Sequence, residues 1–318
     1  MTIVIHHSAD YDGIFCREIA RKFIPSATFI GWDFGDAPLK IPRGMGNDGC
    51  ALYVMDLPLD RPFGFEMDGP DTKESRIAAM QLGFSNLVWI DHHKSSIESH
   101  PNDIPGYRID GVAACRLAWH WFTRHLEVAP DRIPVLAEKQ DFIDRSVVEP
   151  LAVTLAGEYD VWQHDASKGA DIAFQFGLDA QQSLDWKFLL SNDPLAESRT
   201  WNIVGDGNKA MACYAKRDAD VMRSRSFITS FDGLRFLCLN TARCNSNTFA
   251  ALDVPTAGHD ALMAFYFNGK AWSISLYHAA HRKDIDLSVI AVKYGGGGHR
   301  CACGFTFKQF PSFLATNQ

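Results

Sequence analysis

Apolar positions along the chain follow two rhythms, short unbroken runs and longer stretches that repeat every three to four residues. Ile3 to Ile5 is a short apolar strand that stops at His6. Gly13 to Phe23 follows, with Ile14, Phe15, Ile19, Ala20 and Phe23 at helical spacing. Thr28 to Trp32 predicts a second strand, and the Gly-, Pro- and Asp-rich stretch 33–50 predicts a loop. Leu52 to Leu57 and Leu87 to Ile90 are further strands, each running into an aspartate. Helices are predicted over Thr72 to Leu82, Ala113 to Leu126 and Val135 to Ala156, the last broken at Pro150. Such alternation of strand and helix builds an α/β domain with a mostly parallel sheet, whose ligands bind beyond the carboxyl ends of the strands.

After about Gln181 the rhythm changes. Gly205 to Arg225 reads as a polar, charged helix that suits a connector. Leu234 to Asn240, Leu262 to Phe267 and Ala271 to His278 are strands, with Asn268-Gly269 as a two-residue hairpin signal between the last two. Leu287 to Tyr294 is a short helix, followed by the glycines 295–298 and His299. The pattern divides the chain into an α/β domain at 1–190, a helical connector at 191–225 and a smaller α+β domain at 226–318.

Composition narrows the function. Of the 318 residues 47% are apolar and 12% aromatic, which excludes disorder for most of the chain. No apolar run approaches the roughly 18 residues needed to span a bilayer, and Met1 to Ile5 is a strand rather than a basic leader, so the expectation is a cytoplasmic protein with no membrane partner. The net charge is −7 and the pI near 5.9, whereas a protein that tracks long nucleic acid carries a basic face. A small phosphate ligand, held by one local pocket, stays compatible with that balance. None of the eight cysteines forms a CxxC pair, so they are expected to be reduced thiols rather than zinc ligands.

The chemistry lies where the first-half strands stop. His6, Asp10 and Asp12 follow the first strand as H-x-x-x-D-x-D, Asp56 ends another, Asp91-His92-His93 ends a third, and Asp160 lies in Glu158-Tyr159-Asp160-Val161-Trp162. Helix capping accounts for one or two such acids, but not for this many acids and imidazoles at one sheet edge. Their mutual repulsion calls for a cation. Oxygen and imidazole donors without thiolate suit Mn²⁺, Mg²⁺ or Fe²⁺, and a pair of such ions, bridged by a carboxylate such as Asp56, serves phosphoester hydrolysis.

These residues resemble the DHH phosphoesterase superfamily. LVWIDHHKS is similar to its Asp-His-His motif, IVIHHSADYDG to the first motif, YVMDLP to the second and EYDVWQ to the fourth. Gly295 to Phe305 is similar to the GGGH-x-x-A-x-G-F signature of the DHH-associated substrate-binding domain. The resemblance implies that His6, Asp10 and Asp56 hold one metal and that Asp12, Asp56, His92 and Asp160 hold the other. It implies that His93 lies beside the scissile phosphate, with Asp91 orienting His92 from behind, and it leaves His7 as a neighbour without a role. Gly296, Gly297, Gly298, His299 and Arg300 would bind substrate, the glycine amides cradling an anion. A Ser-x-Arg-Ser strand end frequent in the family is here Ser275-Leu276-Tyr277-His278, and Arg282 is expected to replace its arginine.

The implied activity is hydrolysis of short oligonucleotides, or of linear or cyclic dinucleotides, to 5′-mononucleotides with two divalent ions, Mn²⁺ foremost. The acidic charge, and a length with no room for a further strand-binding domain, favour small substrates. A 3′-phosphoadenosine 5′-phosphate phosphatase and a single-stranded-DNA exonuclease of the RecJ type are the alternatives, and a homodimer is compatible with the sequence.

Overall fold

The computed structural model describes residues 1–40, 49–59, 63–64, 72–100, 103–125, 147–242, 244, 246–249 and 258–314. The chain forms two compact units, Met1–Asn208 and Lys209–Gln318.

The first unit is α/β. Strands β1 (Thr2–His7), β2 (Thr28–Trp32), β3 (Ala51–Met55) and β4 (Asn86–Ile90) form one parallel sheet in the order β2-β1-β3-β4. Ile5 pairs with Ile30 on one side and Val54 on the other, and Val54 with Trp89. The order reverses direction between β1 and β3, the place where an open parallel sheet leaves a crevice at its carboxyl edge. Helix α1 (Tyr11–Phe23) connects β1 to β2, and α2 (Lys73–Gly83), capped by Thr72, precedes β4. A short helix α3 (Lys94–Ser99) follows β4, and then come α4 (Ala114–His125), α5 (Leu151–Asp160) and α6 (Ala170–Ala180).

Strand alternation sets the core. Ile3 and Ile5 pack with Leu52, Val54, Trp89 and the α2 residues Ile77 and Met80. On the opposite face Tyr53 stacks on Phe122 of α4, which stacks on Phe23 of α1. Each fully buried Ile, Leu or Val side chain contributes about 1.5–3 kcal/mol, and the buried Trp89 indole donates to Leu57 O at 2.9 Å, so burial leaves no orphan donor there.

A 32-residue helix, α7 (Pro194–Arg225), runs across the division of the units. The second unit is a mixed sheet of β5 (Ser226–Phe231), β6 (Leu234–Asn240), β7 (Ala261–Phe267), β8 (Trp272–His278), β9 (Gly297–Gly298) and β10 (Ala302–Phe307), in the order β9-β10-β8-β7-β6-β5. Helix α8 (Ser288–Lys293) packs on one face, through Ile290 and Ala291 against Met263, Ile274 and Phe305.

Several elements depart from the sequence pattern. Helix α5 starts at Leu151, because Pro150 occupies its N-cap and opens it rather than breaking it; residues 135–146 of the expected helix lie outside the described residues, as do 41–48 of the expected loop. The connector helix begins at Pro194, 11 residues ahead of Gly205. The β7–β8 hairpin turns through four residues, 268–271: Asn268 accepts from the Lys270 and Ala271 amides through its side chain, and of the Asn-Gly pair only Gly269 takes a positive φ. All eight cysteines are unpaired thiols, five of them buried.

Candidate metal centre

Four segments bring acids and imidazoles to the carboxyl edge of the parallel sheet. Strand β1 ends at His7, and Asp10 follows as the N-cap of α1, accepting from Gly13 N at 3.0 Å. An acid there satisfies a helix-end amide and faces the positive end of the helix dipole. Residue 13 is glycine of necessity, since a Cβ would lie 2.2 Å from the His7 carbonyl oxygen. Asp56 leaves β3 with φ 59°, a left-handed conformation that Asp adopts more readily than most residues, and its amide donates to Ile90 O at 2.8 Å. Asp91, His92 and His93 follow β4, and Asp160 is the last residue of α5.

Asp56 stands at the centre. Its Oδ2 lies 3.4 Å from His7 Nδ1 and its Oδ1 3.2 Å from His92 Nε2. His7 Nδ1 is also 2.9 Å from Asp10 Oδ2, and His92 Nε2 is 3.4 Å from Asp12 Oδ2 and 3.3 Å from Asp160 Oδ2. Two of the donor groups that include Asp56 are His7 with Asp10 and Asp56, and Asp12 with Asp56 and His92; each offers three atoms within 4.8 Å of one another. Ligands about 2.1 Å from an octahedral ion stand about 3.0 Å apart, so the spacing fits a small divalent cation.

The charges fit as well. Burial, then the neighbouring carboxylates of Asp56 and Asp160, push Asp12 well above the usual carboxylate range. Burial likewise lifts Asp160 to about 6, against the opposing pull of His92. Asp56 goes the other way: burial alone would raise it, but the imidazoles of His7 and His92 beside it hold it below the usual range. Asp56 Oδ2 and Asp160 Oδ2 are buried without a hydrogen-bond donor, and Asp160 also sits at the negative end of its helix. Such orphaned carboxylate oxygens are what a cation satisfies.

Asp12 has a second duty. Its Oδ2 accepts from Ala114 N at 2.9 Å and its Oδ1 from Cys115 N at 2.7 Å, so it caps α4 from 102 residues away.

Three expected roles change. His7, rather than His6, joins the acids. The strand runs two residues past Ile5, to His7, and since Ile3 and Ile5 face one core, alternation sends His6 to the opposite face, where its Nδ1 meets His7 O at 2.7 Å. Counting the alternation through to residue 7 is the signal that would have found it. Asp91 orients His93 rather than the His92 ring: its Oδ1 lies 2.8 Å from His93 Nδ1 and accepts from the backbone amides of His92 at 2.8 Å and His93 at 3.2 Å. Asp33, in the expected loop, backs His7 through a 3.2 Å contact to Nε2.

In the second unit the glycine run is largely structural. The Gly295 and Gly296 amides donate to Val292 O and Ala291 O and end α8. Gly297 and Gly298 pair with Gly304 and Cys303, and a Cβ on Gly296 would meet Gly304 O at 1.9 Å. The Gly296 amide is therefore turned into the helix end, away from the anion-cradling role expected of it. His299 and Ala302 close the turn into β10, with His299 N donating at 2.8 Å. The Arg282 guanidinium is forked onto Asp284 at 3.0 and 3.2 Å and reaches Asp260 at 2.5 Å, so two carboxylates face it. Arg300 donates to the Asp284 carbonyl at 2.8 Å.

No family model matches the chain, and no curated protein matches it. Among solved structures it is similar to the pGpG-specific phosphodiesterase PggH from Vibrio cholerae, at 12% identity and TM-score 0.37 over 96% of this chain and 93% of that one. It is similar to the DHH domain of a member of the s1p family of ribosomal proteins, at 11% identity and TM-score 0.48 over 96% and 83%. It is also similar to RecJ in complex with Mn²⁺ from Thermus thermophilus, at 12% identity and TM-score 0.44 over 99% and 51%. In its motifs the chain resembles the DHH phosphoesterases, and the carboxyl edge of its parallel sheet carries the Asp-His-His residues.

Proposed function

We propose that the chain is a metal-dependent phosphodiesterase that hydrolyses short oligonucleotides or dinucleotides to 5′-mononucleotides. The observation that carries the reading is Asp56, whose two oxygens face the two donor groups separately. His7, Asp10 and Asp56 would hold one divalent ion and Asp12, Asp56, His92 and Asp160 the other, with Mn²⁺ the metal to try first. Such a pair lowers the pKa of a water and clamps the phosphoryl oxygens during in-line displacement.

The protein's own groups do the rest. Asp12 is locked by the α4 amides, which sets the position of its outward lone pairs. Asp91 accepts a hydrogen bond from His93 Nδ1–H, so Nε2 is the nitrogen that would meet the scissile phosphate as charge develops. The overall charge of −7 repels long polyanions, which favours substrates with few phosphates.

The test is hydrolysis of pApA, cyclic di-AMP, 3′-phosphoadenosine 5′-phosphate and oligomers of rising length, with Mn²⁺, Mg²⁺ or EDTA. The expected result is metal-dependent turnover that is fastest on the shortest diesters and only weakly dependent on salt. Processive digestion of long single strands with a steep salt slope replaces this reading with the exonuclease one; no hydrolysis with any metal ends it.

A further inference from the structure

The turn after β2 holds an exposed aromatic ring against the metal centre. Phe34 is 50% exposed, while its neighbour Trp32 is 5% exposed. The Phe34 ring meets the His7 imidazole edge-on, at 5.7 Å between centroids and 69° between planes, and meets Trp32 on another side at 5.6 Å. His7 is the imidazole that shares a donor group with Asp10 and Asp56.

The ring is held in place. Asp33 Oδ1 accepts from Phe34 N at 2.7 Å and lies 3.2 Å from His7 Nε2, so one carboxylate oxygen fixes both the Phe34 backbone and the metal-centre imidazole. The turn closes on itself: Asp33 N donates to Asp36 Oδ2 and Asp36 N to Asp33 O, each at 3.0 Å, with Gly35 between them at φ 106°. Single exposed apolar side chains are ordinary. A braced aromatic ring in van der Waals range of a candidate metal-binding imidazole, in a turn otherwise made of Asp and Gly, is a surface built for contact.

We propose that Phe34 is a stacking platform for the nucleobase next to the phosphate held at the metal centre, and that it directs the site to nucleotides over phosphoesters without a base. The inference rests on the phosphoesterase reading above and names the residue that selects its substrate class. A phosphate on the donors of His7, Asp10 and Asp56 carries its nucleoside past the adjoining side chain, and that side chain is Phe34. A phenyl ring offers a π-face and no hydrogen bond, so it accepts every base, with the larger face of purines favoured.

Stacking of this kind holds in ground and transition states alike, so its loss raises KM and leaves kcat nearly unchanged. Steady-state kinetics of the wild type, Phe34→Ala and Phe34→Trp are compared on pApA and on the same dinucleotide with both bases removed. For pApA, Phe34→Ala is expected to raise KM roughly five- to a hundredfold, and Phe34→Trp to restore it. The wild-type preference for pApA over the abasic substrate falls by the same factor. Equal effects of Phe34→Ala on both substrates mean that the ring merely supports His7, and an unmoved KM removes it from binding; either result overturns the inference. A wild type inactive on both substrates refutes the phosphoesterase reading instead. In that case quenching of 2-aminopurine riboside 5′-monophosphate fluorescence decides the stacking separately: quenching by the wild type and not by Phe34→Ala upholds it, and no difference refutes it.

Discussion

Asp12 is expected to be the one acid of the metal centre whose removal destabilises the apo-protein. Its two oxygens accept from the Ala114 and Cys115 amides at the start of α4. With alanine at 12, two buried N–H groups lose their acceptor, at about 1–3 kcal/mol each, or about 2–6 kcal/mol together. Asp160 provides the reference. It contributes to the same crowd of negative charge, but its Oδ2 is buried without a donor, so Asp160→Ala removes repulsion and breaks no bond to a backbone amide at that atom. Both variants lose a proposed metal ligand, so the comparison is made in EDTA. A unit of this size shifts by about 2–4 °C per kcal/mol, which puts Asp12→Ala at least about 4 °C below Asp160→Ala in melting temperature. The assay is thermal unfolding followed by circular dichroism, with urea midpoints as a check. An Asp12→Ala protein as stable as Asp160→Ala, or more so, refutes the long-range capping and leaves Asp12 as a ligand only.

Asp56→Ala is expected to abolish turnover and to remove both ions, because each donor group loses the oxygen facing it; two ions still bound per chain by elemental analysis, with near-normal rates, contradicts the bridging role. Asp91→Asn keeps an acceptor for the His92 and His93 amides but takes the charge from behind the His93 imidazole, and should lower kcat at least about tenfold with a smaller change in KM. An unchanged kcat would remove the Asp91–His93 pair from the chemistry. Away from the site, Glu149 bonds His120 at 2.9 Å and Arg116 at 2.8 Å. Burial alone would raise its carboxyl, and those partners hold it below the usual range. Its contribution to stability is therefore full above the unfolded value of about 4.3 and is lost as pH falls through the lower folded value. Urea unfolding of wild type and Glu149→Gln from pH 7 downward should show the gap between them narrowing only below about pH 4.5; a gap that widens in acid is the contrary result.

The strands that carry the site were readable because each is a compact apolar run ending at an acid or imidazole, and Thr28–Trp32 coincides with its expected bounds. Asp56, Asp12 and His92 come together as the family resemblance implies. What escaped is what one-dimensional pattern does not hold. The exchange of His6 for His7 turns on the strand continuing past Ile5 to His7, so that alternation places the two imidazoles on opposite faces. Strand β10 was read as a signature rather than as alternation, although Cys303 and Phe305 face the core in period two. The balancing of Arg282 by Asp260 depends on two segments 22 residues apart meeting at a loop. Phe34 carried a readable signal, a lone aromatic in a Gly- and Asp-rich turn directly after a strand end, but its nearness to His7 is a fact of three dimensions.

The double commitment of Asp12 has a consequence for descent. An enzyme freed from the need to bind metal drifts toward stability, because most sites that serve activity are maintained against it. At this centre the drift is uneven. Replacing Asp160 relieves charge crowding and is open to any small neutral residue, so it is the ligand a decaying lineage sheds early. Replacing Asp12 unroofs the start of α4, so it is retained long after activity is gone. A relative that keeps the second aspartate of Asp-Tyr-Asp-Gly and has lost the one in Glu-Tyr-Asp-Val-Trp is then expected to be folded and inactive, and the aspartate it keeps records architecture rather than catalysis.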